Sequence, residues 1–209
     1  MRTIAQRIRD GGQVADGEFD DVYPLEVSSI SYRHWTPVAV ATLAARWLTE
    51  RGATRILDIG SGPGKFCIAG ALSTGAHFAG VELRPNLVEA ARAAAERFGA
   101  DRASFFQANI LDFDCNRFDG FYLYNPFQEQ IEDNTFLVDP HIERSSALHK
   151  TYLAVTMAIL IRAPIGTPVV TFNGFGSPMP PHYDRLGRDH VYGSELALWV
   201  RGTPSKTSL

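Results

Sequence analysis

The sequence predicts an α/β protein with a doubly wound, mostly parallel sheet flanked by helices on both faces. Short apolar runs of strand length alternate with longer segments in which apolar residues recur at helical spacing. A glycine-rich turn follows the first apolar run, and polar residues follow the next three. Because such sheets bind ligands beyond the carboxyl ends of their strands, we expect those residues to share one site.

Length and composition indicate a single globular domain with a short appendage. The chain has 209 residues, of which 45% are hydrophobic and 21% are charged, which is enough apolar material for a sizeable core. A net charge of −3 excludes an overall basic surface, so nucleic acid is a less favoured partner. The two cysteines, Cys67 and Cys115, form neither a disulfide framework nor a zinc set, and no spacing indicates a metal site.

Residues 1–35 are predicted to form an irregular N-terminal arm or lid. Its acidic cluster is typical of a solvated loop and comprises Asp16, Glu18, Asp20 and Asp21. The segment Tyr32-Arg33-His34 could line a ligand cleft or fasten the next helix to the core, and Trp35 is expected to pack. The N-terminus lacks the apolar stretch of a secretory signal, and the longest apolar run, residues 153–161, is too short to span a membrane. We therefore expect a soluble cytoplasmic protein.

The next helix and the glycine turn are predicted from their flanking residues. Thr36 is a strong N-cap before Pro37 at the first helical position, and Gly52 is the expected stop. The apolar run at residues 56–59 has the length and branching of a buried strand. The turn of residues 60–64 and another helix follow directly. Glycines let the backbone approach a ligand closely, so this unit can cradle a nucleotide-like molecule.

The remaining elements continue the alternation of strands and helices. One helix opens at Pro85 and closes at Gly99, and another is expected to run from Asp139-Pro140 to about residue 162. Residues 173–193 are predicted to be a loop with a short helix at 179–183, and residues 202–209 a flexible tail. The further predicted strands are residues 76–82, 103–107, 118–124, 167–172 and 195–201.

The glycine spacing narrows the ligand class. A dinucleotide fingerprint needs glycine or alanine at the position of Lys65, where a long side chain would disturb helix–strand packing. A phosphate-binding P-loop needs a hydroxyl residue after Gly64-Lys65, but Phe66 follows. Both phosphate-binding interpretations are weakened for these reasons. The spacing present is Gly60-x-Gly62-x-Gly64.

That spacing, within residues 57–64 (Leu-Asp-Ile-Gly-Ser-Gly-Pro-Gly), resembles the first motif of the class I S-adenosylmethionine-dependent methyltransferases. The resemblance continues through residues 80–83, 107–112 and 119–127 and covers roughly residues 36–201. It implies a Rossmann-like, methyltransferase-like domain over that range, with a seven-stranded, mostly parallel sheet. The implied cofactor is S-adenosyl-L-methionine, and the implied activity is methyl transfer.

The resemblance also assigns residues to the cofactor. Asp58 would position its amino-acid part, Glu82 would accept hydrogen bonds from both ribose hydroxyls, and Asn109 and Ile110 would flank the adenine. The backbone of the glycine turn would pass close to the methionine portion and the sugar. Asp58 could instead cap the turn, and Asn109 could be an ordinary loop residue. The implied cofactor-binding residues are Asp58, Gly60, Ser61, Gly62, Gly64, Glu82, Asn109, Ile110 and Asn125.

The implied catalytic residues are Asn125, Pro126 and Phe127. In relatives that methylate amino or amide nitrogens, this motif reads Asn-Pro-Pro-aromatic, and its Asn side-chain and proline carbonyl oxygens accept the target N–H bonds. Here there is one proline and Gln128 takes the fourth place, so a nitrogen acceptor is a hypothesis. Asn-Pro could also simply turn the chain after a strand. A general base could assist, and spacing does not distinguish among Glu129, Glu132, Asp133, His141 and His182.

The sequence favours one function and leaves a second open. The favoured function is methyl transfer by in-line displacement to an unidentified acceptor, a small molecule or a protein, selected by residues 1–35, 126–140 and 174–193. The alternative is a catalytically silent S-adenosylmethionine-binding module that regulates or interacts. Aminopropyl transfer is disfavoured because that family carries an acid at the position of Asn125. The sequence leaves the oligomeric state open.

Overall fold

The computed structural model describes residues 2–29, 31, 35–131 and 144–203. Within these ranges, no helix combines the length and apolar character that crossing a bilayer requires. Several predicted features lie outside the described residues. They are the segment Tyr32-Arg33-His34, the candidate bases Glu132, Asp133 and His141, the helix start at Asp139-Pro140, and most of the C-terminal tail.

Seven strands form one sheet, which confirms the predicted fold class. The strands are β1 (Arg55–Ile59), β2 (His77–Glu82), β3 (Ala103–Gln107), β4 (Gly120–Leu123), β5 (Pro168–Phe172), β6 (Tyr183–Val191) and β7 (Ser194–Arg201). Their order across the sheet is β3-β2-β1-β4-β5-β7-β6, and β7 is antiparallel to β5 and β6 whereas the other pairs are parallel. The strand order reverses between β1 and β4, so a ligand crevice is expected at their carboxyl ends.

Helices pack on both faces of the sheet. The described helices are α1 (Ile4–Arg9), α2 (Asp16–Asp20), α3 (Leu25–Ser28), α4 (Val38–Glu50), α5 (Lys65–Ser73), α6 (Pro85–Phe98) and α7 (Ser146–Arg162), with a 3-10 helix at Gln128–Gln130. Successive β1 residues point to opposite faces: Ile56 joins the core formed with α4, α5 and α6, and Leu57 joins the core formed with α7. Ile8 of α1 and Phe19 of α2 are buried in the first of these cores, so part of the N-terminal arm is packed.

The start of α4 differs from the prediction by one residue. The helix begins at Val38 with Pro37 at the N-cap position. Thr36 does not cap it, because its buried hydroxyl lies 2.9 Å from the Tyr122 hydroxyl in a hydrogen bond across the core. The Asp16 carboxylate accepts from the Val38 N–H at 2.8 Å instead, which satisfies an unpaired donor at the helix start.

The segment predicted as a loop with a short helix at residues 179–183 contains strand β6, so that prediction was wrong. Tyr183 pairs with Arg201 and Val191 pairs with Ser194, which leaves a two-residue hairpin turn at Tyr192-Gly193. Both turn residues have positive φ, the geometry that the hairpin requires. The strand lies at the sheet edge, where most of its side chains are polar and exposed, so it lacks the apolar alternation that predicts a strand.

Helix α7 begins later than predicted. Residues 144 and 145 are not helical, and the Ser145 hydroxyl caps the helix by accepting from the Leu148 N–H at 3.0 Å. The Asp-Pro pair suggested an earlier start because it has the composition of a cap, but a serine directly before an apolar helical run supplies the same function.

Candidate functional site

The turn between β1 and α5 needs glycine for three different reasons. Gly60, Gly62 and Gly64 have φ values of 77°, 53° and 80°, which side-chain-bearing residues rarely adopt. A Cβ on Gly60 would lie 2.9 Å from the Pro126 Cβ, and a Cβ on Gly64 would lie 2.3 Å from the Phe105 ring. A Cβ on Gly62 would meet nothing within 4 Å. Of these three glycines, Gly62 therefore borders open space that a ligand can occupy.

The N–H groups of this turn are used within the protein. Those of Gly60 and Ser61 both donate to the Val81 carbonyl, at 2.9 and 3.1 Å, and that of Gly62 donates to the Glu82 carboxylate at 3.0 Å. Pro63 has no N–H. The turn therefore does not present these donors to a phosphate, which agrees with the weakening of the dinucleotide and P-loop interpretations.

Two acidic side chains line the site instead. Asp58, at the end of β1, is buried, and this burial, followed by the nearby charge of Glu82, raises the pKa of Asp58 to about 8. The Cys67 thiol lies 3.8 Å from the Asp58 carboxylate as a donor, and its own pKa is raised by burial and by Asp58. A buried carboxyl with a raised pKa gains from a cationic group beside it, because such a group favours the charged form.

The Ser61 side chain turns away from the ligand space. Its Oγ would lie 2.4 Å from a Cβ on Gly80 of β2, and it is buried without a hydrogen-bond partner in the described structure. The Ser61 side chain is therefore packed against β2, and the contact of its backbone with the cofactor stays a prediction.

Glu82, at the end of β2, is held by several donors. Its Oε2 accepts from the Gly62 N–H, and its Oε1 accepts from the backbone N–H and Nε of Arg84 at 3.0 and 2.9 Å. The carboxylate is 3% exposed, so its position is fixed by these contacts. The role of Arg84 was not predicted, because the sequence does not show which side chain an arginine in this position contacts.

A pocket beside Glu82 collects the residues predicted to flank the adenine. It is lined by Asn109, Ile110, Phe127 and Tyr152, among others. No local pattern in the sequence distinguished Tyr152 of α7. Its hydroxyl lies 3.3 Å from Asn109 Nδ2, and its ring stacks on Phe127 at a centroid distance of 5.0 Å. A planar ligand group placed here would meet both polar and aromatic side chains.

The residues 125–127, called here the acceptor corner, follow β4 at the other side of the glycine turn. Asn125 has a left-handed φ of 37°, which asparagine tolerates better than most residues, and its N–H donates to the Gly174 carbonyl at 3.2 Å. Its side-chain amide makes no hydrogen bond within the part of the chain that the structure describes. Trp35 and Tyr124 line the same pocket as Asn125, together with Gly60 and Gly62.

Comparison with known proteins agrees with this architecture. A sequence model of the family described as "Methyltransferase domain" matches residues 50–143. That range contains the glycine turn, Glu82, Asn109 and the acceptor corner. A search of curated proteins finds no match. The matched range is a little under half of the chain, and it is similar to methyltransferase domains.

Solved structures with the same fold differ widely in what they methylate. The chain is similar to an RNA methyltransferase from Salinibacter ruber bound to S-adenosyl-L-homocysteine (21% identity, TM-score 0.55, 80% of this chain and 95% of that one). It is also similar to an O-methyltransferase from Bacillus cereus bound to the same product (15% identity, TM-score 0.58, 94% and 96%). A third is the magnesium protoporphyrin IX methyltransferase of Synechocystis with bound S-adenosylmethionine (14% identity, TM-score 0.54, 95% and 90%). These likenesses establish the fold and leave the acceptor open.

The acidic cluster of the N-terminal arm has a structural role, so its prediction as a solvated loop was wrong. Residues 16–20 form α2, and Asp20 is buried. Lys65, the first residue of α5, is 4% exposed in its side chain and pairs with Asp16 at 2.6 Å and Asp20 at 2.8 Å. The long side chain that argued against a dinucleotide fingerprint is accommodated by these two acids. The signal in the sequence was a lysine in an apolar helix, which requires an acidic partner when buried.

Two of the candidate bases, His182 and Glu129, lie within the described residues. His182 directly precedes Tyr183, which pairs with the end of β7 where β5 begins, so it lies at the amino-terminal edge of the parallel strands. The candidate site is at the carboxyl edge, so His182 does not cover it. Glu129 lines the site, but both of its carboxylate oxygens accept hydrogen bonds from Arg84 Nη1, at 2.9 and 2.7 Å, so they are engaged within the protein.

Alanine substitutions at two glycines of the turn are expected to lower stability by different amounts. Gly64→Ala should lower the free energy of unfolding by about 3 kcal/mol or more, since it combines a left-handed φ with a clash against Phe105. Gly62→Ala should lower it by only about 1–2 kcal/mol. Urea unfolding of both variants measures this, and equal losses would contradict the different environments of the two residues.

Proposed function

We propose that the protein transfers the methyl group of S-adenosylmethionine to a nitrogen atom of a small molecule or protein, presented at the acceptor corner. The observation that carries this proposal is the side-chain amide of Asn125, which makes no hydrogen bond to any residue that the structure describes. It borders the same pocket as Gly60 and Gly62, beside Trp35 and Tyr124. A side-chain amide without a partner in the described structure can accept an N–H bond of an incoming acceptor.

The site fits the cofactor in three respects. Gly62 leaves open space at the turn, the Asp58 carboxyl offers a partner for the ammonium group, and Glu82 offers carboxylate oxygens to a ribose diol. Asn109 and Ile110 line the neighbouring pocket where the adenine would pack. When bound, the cofactor supplies an electrophilic methyl group on a positively charged sulfur.

The chain's contribution to the reaction is then orientation. Asn125 Oδ1 would accept an acceptor N–H bond and turn the nitrogen lone pair toward the methyl group, which would be displaced in line from the sulfur. The surplus proton would leave the nitrogen for solvent or a base outside the described residues. Trp35 and Tyr124 would pack against the acceptor, since they share the Asn125 pocket. Phe127 is expected to act on the cofactor side, because its ring stacks on Tyr152.

Radiolabelled transfer into cell extract tests this proposal. Extract incubated with methyl-labelled S-adenosylmethionine and the protein, then fractionated into small molecules, proteins and nucleic acids, should show label in one of the first two classes. The label should resist mild alkaline hydrolysis, which removes methyl esters. Gly62→Arg, which fills the open space at the turn, should abolish labelling.

Asn125→Gly supplies the test of the acceptor corner. Glycine adopts the left-handed φ readily and lacks the amide, so labelling should fall about 100-fold while affinity for S-adenosylhomocysteine changes little. Label confined to nucleic acid, or lost on mild alkaline treatment, would refute the proposed acceptor class. Binding of S-adenosylhomocysteine without any transfer would instead favour the silent binding module.

A further inference from the structure

Arg84 joins the two halves of the site. On one side its backbone N–H and Nε donate to Glu82 Oε1, and on the other its Nη1 donates to both carboxylate oxygens of Glu129. Its side chain is 15% exposed. Burial opposes the charge of the guanidinium, but the charges of Glu82 and Glu129 outweigh burial and raise the pKa of Arg84. The arginine is therefore a permanent cation shared by two carboxylates.

Glu129 belongs to the segment that carries the acceptor corner. It is the central residue of the 3-10 helix at Gln128–Gln130. The Gln128 N–H donates to the Asn125 carbonyl at 3.1 Å, and Gln130 Oε1 accepts from the Ser145 N–H at 3.4 Å, just before α7. Whatever holds Glu129 in place therefore also holds the acceptor corner.

The arrangement bridges the cofactor groove. Arg84 and Glu129 both line the pocket of Asn109 and Tyr152, and both also line the pocket of Asn125 and Trp35. Gly60 and Pro126 are common to the two pockets as well. The ion pair between Arg84 and Glu129, at 2.7 Å, thus stands where the ribose end of the groove meets its acceptor end.

We propose that Arg84 is a positioning residue that couples occupancy of Glu82 by the cofactor ribose to ordering of the acceptor corner through Glu129. The inference rests on the cofactor site of the proposed function. Glu82 Oε1 already accepts two hydrogen bonds, whereas Oε2 accepts from Gly62 and, at a longer 3.4 Å, from Arg84 Nη2. A diol at Glu82 competes with that long contact, which releases Arg84 Nη2 from Glu82 while Nε stays on Glu82 Oε1 and Nη1 stays on Glu129.

Drying of the groove adds to this effect. A ligand that excludes water from the groove lowers the local dielectric, which strengthens the attraction between Arg84 and Glu129. Because coupling between two sites is reciprocal, anything that anchors Glu129 also raises affinity for the diol ligand. Cofactor binding then prepares the corner that receives the acceptor.

S-adenosylhomocysteine is the probe for this coupling, with calorimetric affinity and amide hydrogen exchange as the two readouts. In the unmodified protein, ligand should slow exchange in residues 125–131. In Glu129→Gln that protection should disappear and affinity should fall about fivefold, the lower range of typical site-to-site coupling. Glu89→Gln, at an exposed glutamate of α6, is the matched control and should change neither readout.

Arg84→Lys is the second variant. Lysine keeps the charge but lacks the planar fork that reaches both carboxylates, so binding should persist while protection of residues 125–131 is lost. Ligand-induced protection that survives in Glu129→Gln or Arg84→Lys would overturn the coupling and leave Arg84 a purely structural residue. If the unmodified protein does not bind S-adenosylhomocysteine at all, the proposed function fails together with this inference.

Discussion

Lys65→Met is expected to lower the free energy of unfolding by about 3–5 kcal/mol, the range for a buried charge that loses its partner. The lysine side chain is 4% exposed, and it pairs with Asp20, whose side chain is 8% exposed, as well as with Asp16. Methionine matches the length of the lysine stem but leaves Asp20 buried without a cation. Denaturant unfolding followed by circular dichroism measures the loss.

Acidic pH should reduce this loss. Burial already raises the pKa of Asp20, and Lys65 opposes that shift. Removing Lys65 therefore raises the pKa further. A carboxyl whose folded-state pKa is raised stabilises the fold fully below its unfolded pKa and loses that contribution as pH rises through the folded value. The difference in free energy of unfolding between the variant and the unmodified protein should accordingly widen from pH 5 to pH 8.

Two control variants bring out the specific role of this pair. Arg2→Met removes an exposed ion pair with Asp10 and should change stability by less than about 1 kcal/mol. Adding Asp20→Asn to Lys65→Met should recover part of the lost stability, because it removes the uncompensated charge. A loss below about 1 kcal/mol for Lys65→Met would show that the arm is not fastened to the glycine turn through this residue.

Asp58→Asn is expected to stabilise the fold while weakening cofactor binding. The pKa of Asp58 is raised to about 8, so its stabilising contribution is complete below about pH 4 and is lost as pH rises to 8. Because asparagine does not ionise, the variant does not lose stability over this pH range. Each unit of pKa shift corresponds to about 1.4 kcal/mol. We therefore expect the free energy of unfolding of the variant to exceed that of the unmodified protein by at least about 2 kcal/mol at pH 8.

Asp58→Asn should lower the affinity for the ligand, although it raises the stability of the fold. If Asp58 holds the ammonium group of the ligand, binding of S-adenosylhomocysteine at pH 7 should release a proton from Asp58, because the cation favours the carboxylate. Calorimetry in two buffers with different ionisation enthalpies detects that proton. Asp58→Asn should bind more weakly and release none, whereas Asp101→Asn, on an exposed turn, should behave as the unmodified protein. Absence of proton release from the unmodified protein would contradict this role of Asp58.

Much of the cofactor side was predictable because its residues follow strands that are strongly apolar. Strand β3 occupies residues 103–107 as predicted, and β1, β2 and β5 begin within one residue of their predicted starts. Parallel strands of a doubly wound sheet bring their carboxyl ends to one edge, so Glu82, Asn109 and Asn125 could be placed near the glycine turn without coordinates. Strand β6 escaped prediction since an exposed edge strand need not alternate.

The contacts that fix the site were not predictable, because each joins residues far apart in the chain. Lys65 reaches back to Asp16 and Asp20, Arg84 reaches forward to Glu129, and Thr36 meets Tyr122 in the core. Local periodicity reports which face of an element is buried, but it carries no information on which distant polar group will be buried opposite it.

The sequence by itself determined the fold class and the glycine turn, since these depend on local spacing and on the edge where parallel strands end. The class of cofactor is what the resemblance of that turn to a known motif implies. Only the tertiary structure decided that the N-terminal acids neutralise Lys65 and that Arg84 ties Glu82 to Glu129. It also decided that His182 lies at the far edge of the sheet. The physical reason is that a buried charge must be paired, and chain folding alone selects the partner.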